Sequence, residues 1–95
     1  MIRVEVRSDH VHVIGHAGYA PPGQDIVCAA VSTLVQTLAW SIKDLTEDTI
    51  EYEVSSEGTK IQYENLSERS KLLVDSFFIG ILEIAREYPK HVEIV

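Results

Sequence analysis

Apolar residues alternate with polar ones near both ends of this chain and recur at helical spacing in between. Ile2, Val4 and Val6 are interleaved with Arg3, Glu5 and Arg7, the period of a strand with one buried face. Val11 and Val13 repeat the pattern between His10, His12 and Ile14. If Ser8 and Asp9 turn the chain, Val6 faces Val11, Val4 faces Val13 and Ile2 faces Gly15, which puts both apolar sets on one side of a hairpin. Gly15, Gly18, Gly23 and the Pro21-Pro22 pair then erase every period as far as Gln24. Beyond them, apolar positions 27, 31, 34, 38, 42 and 45 form one helical stripe. Asp25 suits the N-cap, because its carboxylate accepts from the free amides of a first turn. The spacing predicts a helix over 26–45, with Trp40 on its flank.

The second half repeats the plan. Ile50, Tyr52 and Val54 alternate with Glu51 and Glu53, and Ile61 and Tyr63 resume beyond Glu57-Gly58. A two-residue turn at Glu57-Gly58 pairs Val54 with Ile61 and Tyr52 with Tyr63. Asn65 or Ser67 caps a second helix whose inward stripe is Leu73, Phe77, Ile81, Ile84 and Tyr88. Gly80 costs that helix roughly 1 kcal/mol against alanine, and a close approach by a neighbouring element would explain it. Pro89 stops the helix, and Val92 and Ile94 suggest a last short strand. The order ββαββα plus a C-terminal strand predicts an α+β fold: a small mixed or antiparallel sheet, built from two hairpins, with both helices packed on it.

Composition narrows the classes of function. Ninety-five residues, 45% hydrophobic, fit one domain over 1–95. No apolar run approaches the length of a membrane span, and the chain enters a strand pattern at once, without the apolar stretch of a signal peptide. Acidic side chains outnumber basic ones 15 to 8, for a net charge of −7. The basic residues are scattered, which argues against nucleic acid as a direct partner. A single cysteine forms no internal disulfide, so a cytoplasmic location is expected, with no membrane partner.

Candidate chemistry is concentrated in GHAGYAPPGQDIVCAAVS, Gly15 to Ser32. With Asp25 as N-cap, the lone Cys28 falls in the first turn, where free amides and a partial positive charge favour a thiolate and can donate to an oxyanion. The Asp25 carboxylate opposes that thiolate by repulsion. A histidine that takes the thiol proton would settle the balance. His16, at the end of the second strand, has the opposite parity from Val11 and Val13 and is free to face the helix start. A free cysteine among Ala29, Ala30 and Val31 is also an ordinary core residue. His10, His12 and His16 could be drawn with Cys28 as a metal site. However, His10 and His12 read as solvent-facing partners of Arg7 and Glu5, and neither metal nor cofactor is expected. No phosphate-binding glycine loop, serine elbow or carboxylate pair stands out.

In Gly15-His16-Ala17, the loop glycines, Asp25-Ile26-Val27-Cys28-Ala29 and Ser32, the chain resembles the ribosomal-processing cysteine proteases, the Prp or YsxB-like family. That resemblance spans the whole length and implies a cysteine endopeptidase with nucleophile Cys28 and base His16. It implies, as substrate, the N-terminal extension of large-subunit ribosomal protein twenty-seven, removed in Firmicutes and related bacteria during ribosome maturation. It also implies a homodimer and a loop, including Gly18, Tyr19 and Gly23, that orders over bound peptide. Gly15 would be a backbone hinge, Asp25 would place the nucleophile and Ser32 would lie near the site. The rival from another class is a non-catalytic ribosome-assembly or peptide-binding protein with a buried structural cysteine.

Overall fold

The computed structural model describes residues 1–95. Strands β1 (Ile2–Val6) and β2 (His10–Ile14) form the expected hairpin, with Val4 opposite Val13 and Val6 opposite Val11. Arg7 N–H donates to the His10 carbonyl across the turn at 2.8 Å. The pairing of Ile2 with Gly15 is not made: the register stops at Arg3 and Ile14. Gly15 adopts φ +91° and sends its N–H to the Glu57 carbonyl, while Ile2 N–H goes to the His91 carbonyl.

Helix α1 (Ile26–Leu45) has the predicted bounds, and Asp25 caps it. Its buried face is Val27, Val31, Val35, Leu38, Ala39 and Ile42. Leu45 keeps the azimuth of the predicted stripe, but as the last residue of α1 it lies beyond the core and is 63% exposed. Contrary to the sequence reading, α1 is long and apolar enough to cross a membrane by length and composition, with a mean hydropathy of 1.4. Here one face of it forms the core, and Ser32, Thr33, Gln36 and Thr37 are exposed.

Strands β3 (Glu51–Val54) and β4 (Gly58–Gln62) correct the second predicted register by two residues: Tyr52 faces Ile61 and Val54 faces Thr59. Ser55 and Gly58 exchange backbone hydrogen bonds at 2.9 and 3.2 Å, so the turn is Ser56-Glu57. Gly58 belongs instead to the strand, opposite Ile14 of β2, where a Cβ would collide with the Val13 carbonyl oxygen. A shift of two keeps side-chain parity, so Tyr52, Ile61 and Tyr63 still meet the core, whereas Val54, at the end of the outer strand, is 65% exposed.

Helix α2 (Glu68–Glu87) is capped by Ser67, and Asn65 takes a left-handed turn conformation before it. At Gly80, an added Cβ would lie 3.0 Å from a Leu34 methyl, the close helix–helix approach that the glycine predicted. Strand β5 (Val92–Ile94) pairs in parallel with β1 and completes a mixed sheet of order β3-β4-β2-β1-β5. Buried residues of the sheet and both helices form one core, with Ile42, Ile61 and Ile81 fully enclosed. Tyr63 closes the first hairpin onto β4: its hydroxyl donates to the Arg7 carbonyl at 3.0 Å, and burial holds its phenol up at about 12.

Asp48 joins the end of α1 to the start of α2. Its carboxylate accepts from the Ser70 and Ser67 hydroxyls and from Ser67 N–H, which together hold its pKa below the usual 3.8. A carboxylate with a depressed folded-state pKa stabilises the fold above its unfolded value, and that contribution is lost as pH falls through the folded one. Melting temperature should therefore fall as acid is added from pH 4 downward, and Asp48→Asn should flatten that decline. Thermal melts of both proteins between pH 2 and 6 check this.

Candidate active site

One carboxylate builds the start of α1 and the loop before it. Asp25 Oδ1 accepts from Val27 N–H at 3.0 Å and Cys28 N–H at 2.9 Å, while Oδ2 accepts from Tyr19 N–H at 3.0 Å and Ala20 N–H at 3.4 Å. The Cys28 amide is foremost among the donors that lower the Asp25 pKa. The negative charge that seemed set against a thiolate is thus met by four backbone donors. The same arrangement corrects the expected oxyanion site. Val27 and Cys28 N–H are held by the Asp25 side chain and Ala29 N–H by its carbonyl, so only Ile26 N–H of that turn is without a partner.

Strand β2 ends at Ile14, and the positive φ of Gly15 turns the following residues towards the helix start. An added Cβ there would lie 2.6 Å from the Met1 carbonyl oxygen, so Gly15 is wedged in place. His16 is exposed; its carbonyl accepts from the Met1 nitrogen at 2.6 Å, and its imidazole makes no hydrogen bond. Ala17 is buried, and its N–H donates to Cys28 Sγ at 3.3 Å. Its carbonyl accepts from His91 Nδ1 at 2.9 Å. Farther along, Gln24 N–H closes onto the Pro21 carbonyl at 3.0 Å around Pro22-Gly23, with Gly23 at φ +85°, as in a type II turn. Gly18 also has positive φ, and nothing lies within 4 Å of the Cβ position of either Gly18 or Gly23.

Two clefts meet at the thiol. One, of about 200 Å³, lies between α1 and the β3–β4 hairpin and is walled by Val31, Val35, Val54 and Thr59. The other, of about 510 Å³, opens between α1 and the loop, against Gly18, Ala20, Pro22 and Asp25. His16, Cys28 and Ser32 line both. The structure therefore gathers Gly15, His16, Gly18, Gly23, Asp25, Cys28 and Ser32 around one trough. Tyr19 turns elsewhere, its ring edge-on to Tyr88 and His91 with centroids 5.4 Å from each. Cys28 is half-buried: it packs against the core and also lines both clefts, whereas the non-catalytic reading expects it buried.

Two participants were not foreseen. The Val54–Thr59 hairpin forms a wall because β3 and β4 fold back beside α1, and strand patterns carry no signal of that. His91 stands alone after Pro89, with no spacing that links it to residue 17. The other histidines lie apart: His10 bridges Asp9 at 2.8 Å and Glu5 at 3.5 Å on the open face of the sheet, and no group of three or more His, Cys, Asp or Glu is placed to hold a metal.

A half-buried cysteine at a helix start, lining two clefts together with a histidine on an α+β frame, combines the residue types that cysteine hydrolases use. The family model described as cysteine protease Prp matches residues 1–93, and the chain belongs to that family. A relative from Mycoplasma genitalium, the ribosomal processing cysteine protease Prp, is 30% identical over 95 residues, 99% of this chain and 94% of the relative. The crystal structure of SMU.848 from Streptococcus mutans is 31% identical, with a TM-score of 0.79 over 98% of this chain and 89% of its own. Prp from S. aureus, solved with a covalently linked product peptide, has the same fold at 22% identity, with a TM-score of 0.91 over 99% and 97% of the two chains.

Proposed function

We propose that this chain is a cysteine endopeptidase in which Cys28 is the nucleophile and His16 its general base and acid. One observation carries the reading: Cys28, whose Sγ receives a backbone N–H, lines the same two clefts as His16. His16 takes the thiol proton, and the thiolate adds to the scissile carbonyl carbon. The tetrahedral intermediate collapses as the His16 imidazolium protonates the leaving amine, giving a thioester at Cys28. Water, deprotonated by His16, attacks that thioester; the acid product leaves and the thiol regains its proton. The imidazole closes onto the sulfur when a peptide enters, since catalytic hydrogen bonds often tighten only in the substrate complex.

The substrate in this reading is the N-terminal extension of large-subunit ribosomal protein twenty-seven. The M. genitalium relative is named for ribosomal processing, and S. aureus Prp has been solved with both a product and a substrate peptide. A trough open on both sides of the thiol suits an extended chain that continues past the cut. The reading includes a cytoplasmic enzyme acting as a homodimer, which sedimentation of the purified protein checks.

Mass spectrometry of the full-length precursor after incubation with wild type and with Cys28→Ala tests the assignment. Wild type should release one N-terminal fragment, and Cys28→Ala should release none. Cleavage by Cys28→Ala at the wild-type rate would end the proposal.

A further inference from the structure

We infer that His91 is a positioning residue of this site: by holding the Ala17 carbonyl, it keeps the Ala17 N–H on the Cys28 sulfur. The inference rests on Cys28 being the nucleophile, and it concerns a residue outside the stretch that contains His16 and Cys28.

The two bonds share one residue. Ala17 N–H reaches Sγ at 3.3 Å, and Ala17 C=O meets His91 Nδ1 at 2.9 Å. A carbonyl only accepts, so Nδ1 carries the proton, whether the ring is neutral or charged. An N–H aimed at sulfur favours the thiolate over the thiol, because hydrogen bonds to an ionised acceptor are the stronger ones. Small displacements of that N–H therefore change how readily Cys28 ionises.

His91 is rigidly mounted for the task. Its own N–H donates to the Tyr88 carbonyl at 2.9 Å, and its carbonyl accepts from Ile2 N–H at 2.8 Å, so the backbone is fixed between α2 and β1. Tyr19 lies edge-on against both the His91 and Tyr88 rings, closing a bracket around the start of the loop. Ala17 is 3% exposed, whereas Gly18, Tyr19, Pro21, Pro22, Gly23 and Gln24 are all exposed. The bracket thus fixes the end of the loop that touches the sulfur.

Two substitutions separate hydrogen bonding from packing. His91→Asn keeps a donor on the γ position, where Nδ1 is attached. His91→Phe keeps a ring for Tyr19 and removes the donor. The readouts are the pH profile of Cys28 alkylation by iodoacetamide in the free protein, and kcat and KM for peptide cleavage. His91→Phe should move the alkylation midpoint to higher pH, slow alkylation at pH 6 by about 10-fold and lower kcat by about 10-fold, as the loss of one hydrogen bond to a charged acceptor predicts. KM should stay within about 2-fold, and His91→Asn should restore the wild-type profile to within about 3-fold. His16, Asp25 and Glu57, the other titratable groups lining the clefts at Cys28, are unchanged in every variant. A wild-type alkylation profile in His91→Phe overturns the inference, as does an Asn variant no better than Phe. If His91→Phe does not fold, His91→Leu, which matches the Asn variant in shape and also lacks a donor, takes its place with the same expectations. Cleavage by Cys28→Ala would defeat the nucleophile assignment instead, a separate outcome because alkylation does not require turnover.

Discussion

Alanine in place of His16 should lower kcat/KM for peptide cleavage by about 10³-fold, the scale on which a general base and acid acts. The imidazole is exposed and makes no hydrogen bond, so its removal takes nothing from the core, and the melting temperature should stay within about 1 °C. The loss should fall on kcat, because His16 moves protons in both acylation and deacylation. Alkylation of Cys28 near neutral pH should slow as well, since no side chain remains to accept the thiol proton. The trough is open at this position on both sides of α1, so imidazole added to the buffer should restore part of the rate. Ser32→Ala serves as the control: that hydroxyl lines the same trough without a role in proton transfer, and its loss should cost less than about 5-fold. Activity of His16→Ala within 5-fold of wild type would remove His16 from the mechanism.

The parts of this site that were legible in the sequence are those fixed by local rules. Asp25 is a cap by residue type and position, and it places Cys28 in the first turn without any tertiary information. Strand parity along His10–Ile14 fixes which way the chain faces as it leaves β2, and the register of the first hairpin follows from matching apolar faces. What was missed depends on neighbours distant in sequence. Gly58 looked like turn chemistry, yet it is a strand glycine because β2 passes too close for a side chain. Leu45 sits on the predicted stripe but beyond the core. Met1 and His91 hold the carbonyls of His16 and Ala17 from the far ends of the chain, and no local pattern marks either contact. The Asp25 amide contacts were half legible: the cap could be foreseen, but not that the second oxygen ties down Tyr19 and Ala20.

Gly58→Ala should be the most damaging single-methyl change in the protein. At its φ of +153° an added Cβ is driven into the Val13 carbonyl oxygen, with the Val13 carbonyl carbon at 2.9 Å and Ile14 Cα at 3.0 Å. These are backbone atoms of a central strand, not the flexible end of a side chain, so relief requires β2 and β4 to separate. Forcing atoms into a packed interior costs up to about 3 kcal/mol, which in a domain of this size lowers the melting temperature by roughly 15 °C. The damage should not stop at stability. Gly58 exchanges hydrogen bonds with Ser55, and the adjoining Glu57 carbonyl holds Gly15 N–H at 3.1 Å, immediately before His16. Moving this hairpin therefore opens the smaller cleft along Val54–Thr59 and loosens the residue that aims His16. At a temperature where the variant is still folded, its KM should rise and its kcat fall together. Ser56→Gly, at the turn tip beside it, should leave both stability and kinetics near wild type. Circular dichroism melts and steady-state kinetics on the two variants separate the contributions. A Gly58→Ala protein that melts within 3 °C of wild type would mean that β2 yields to the methyl group, and that the glycine is not required by the approach of the strands.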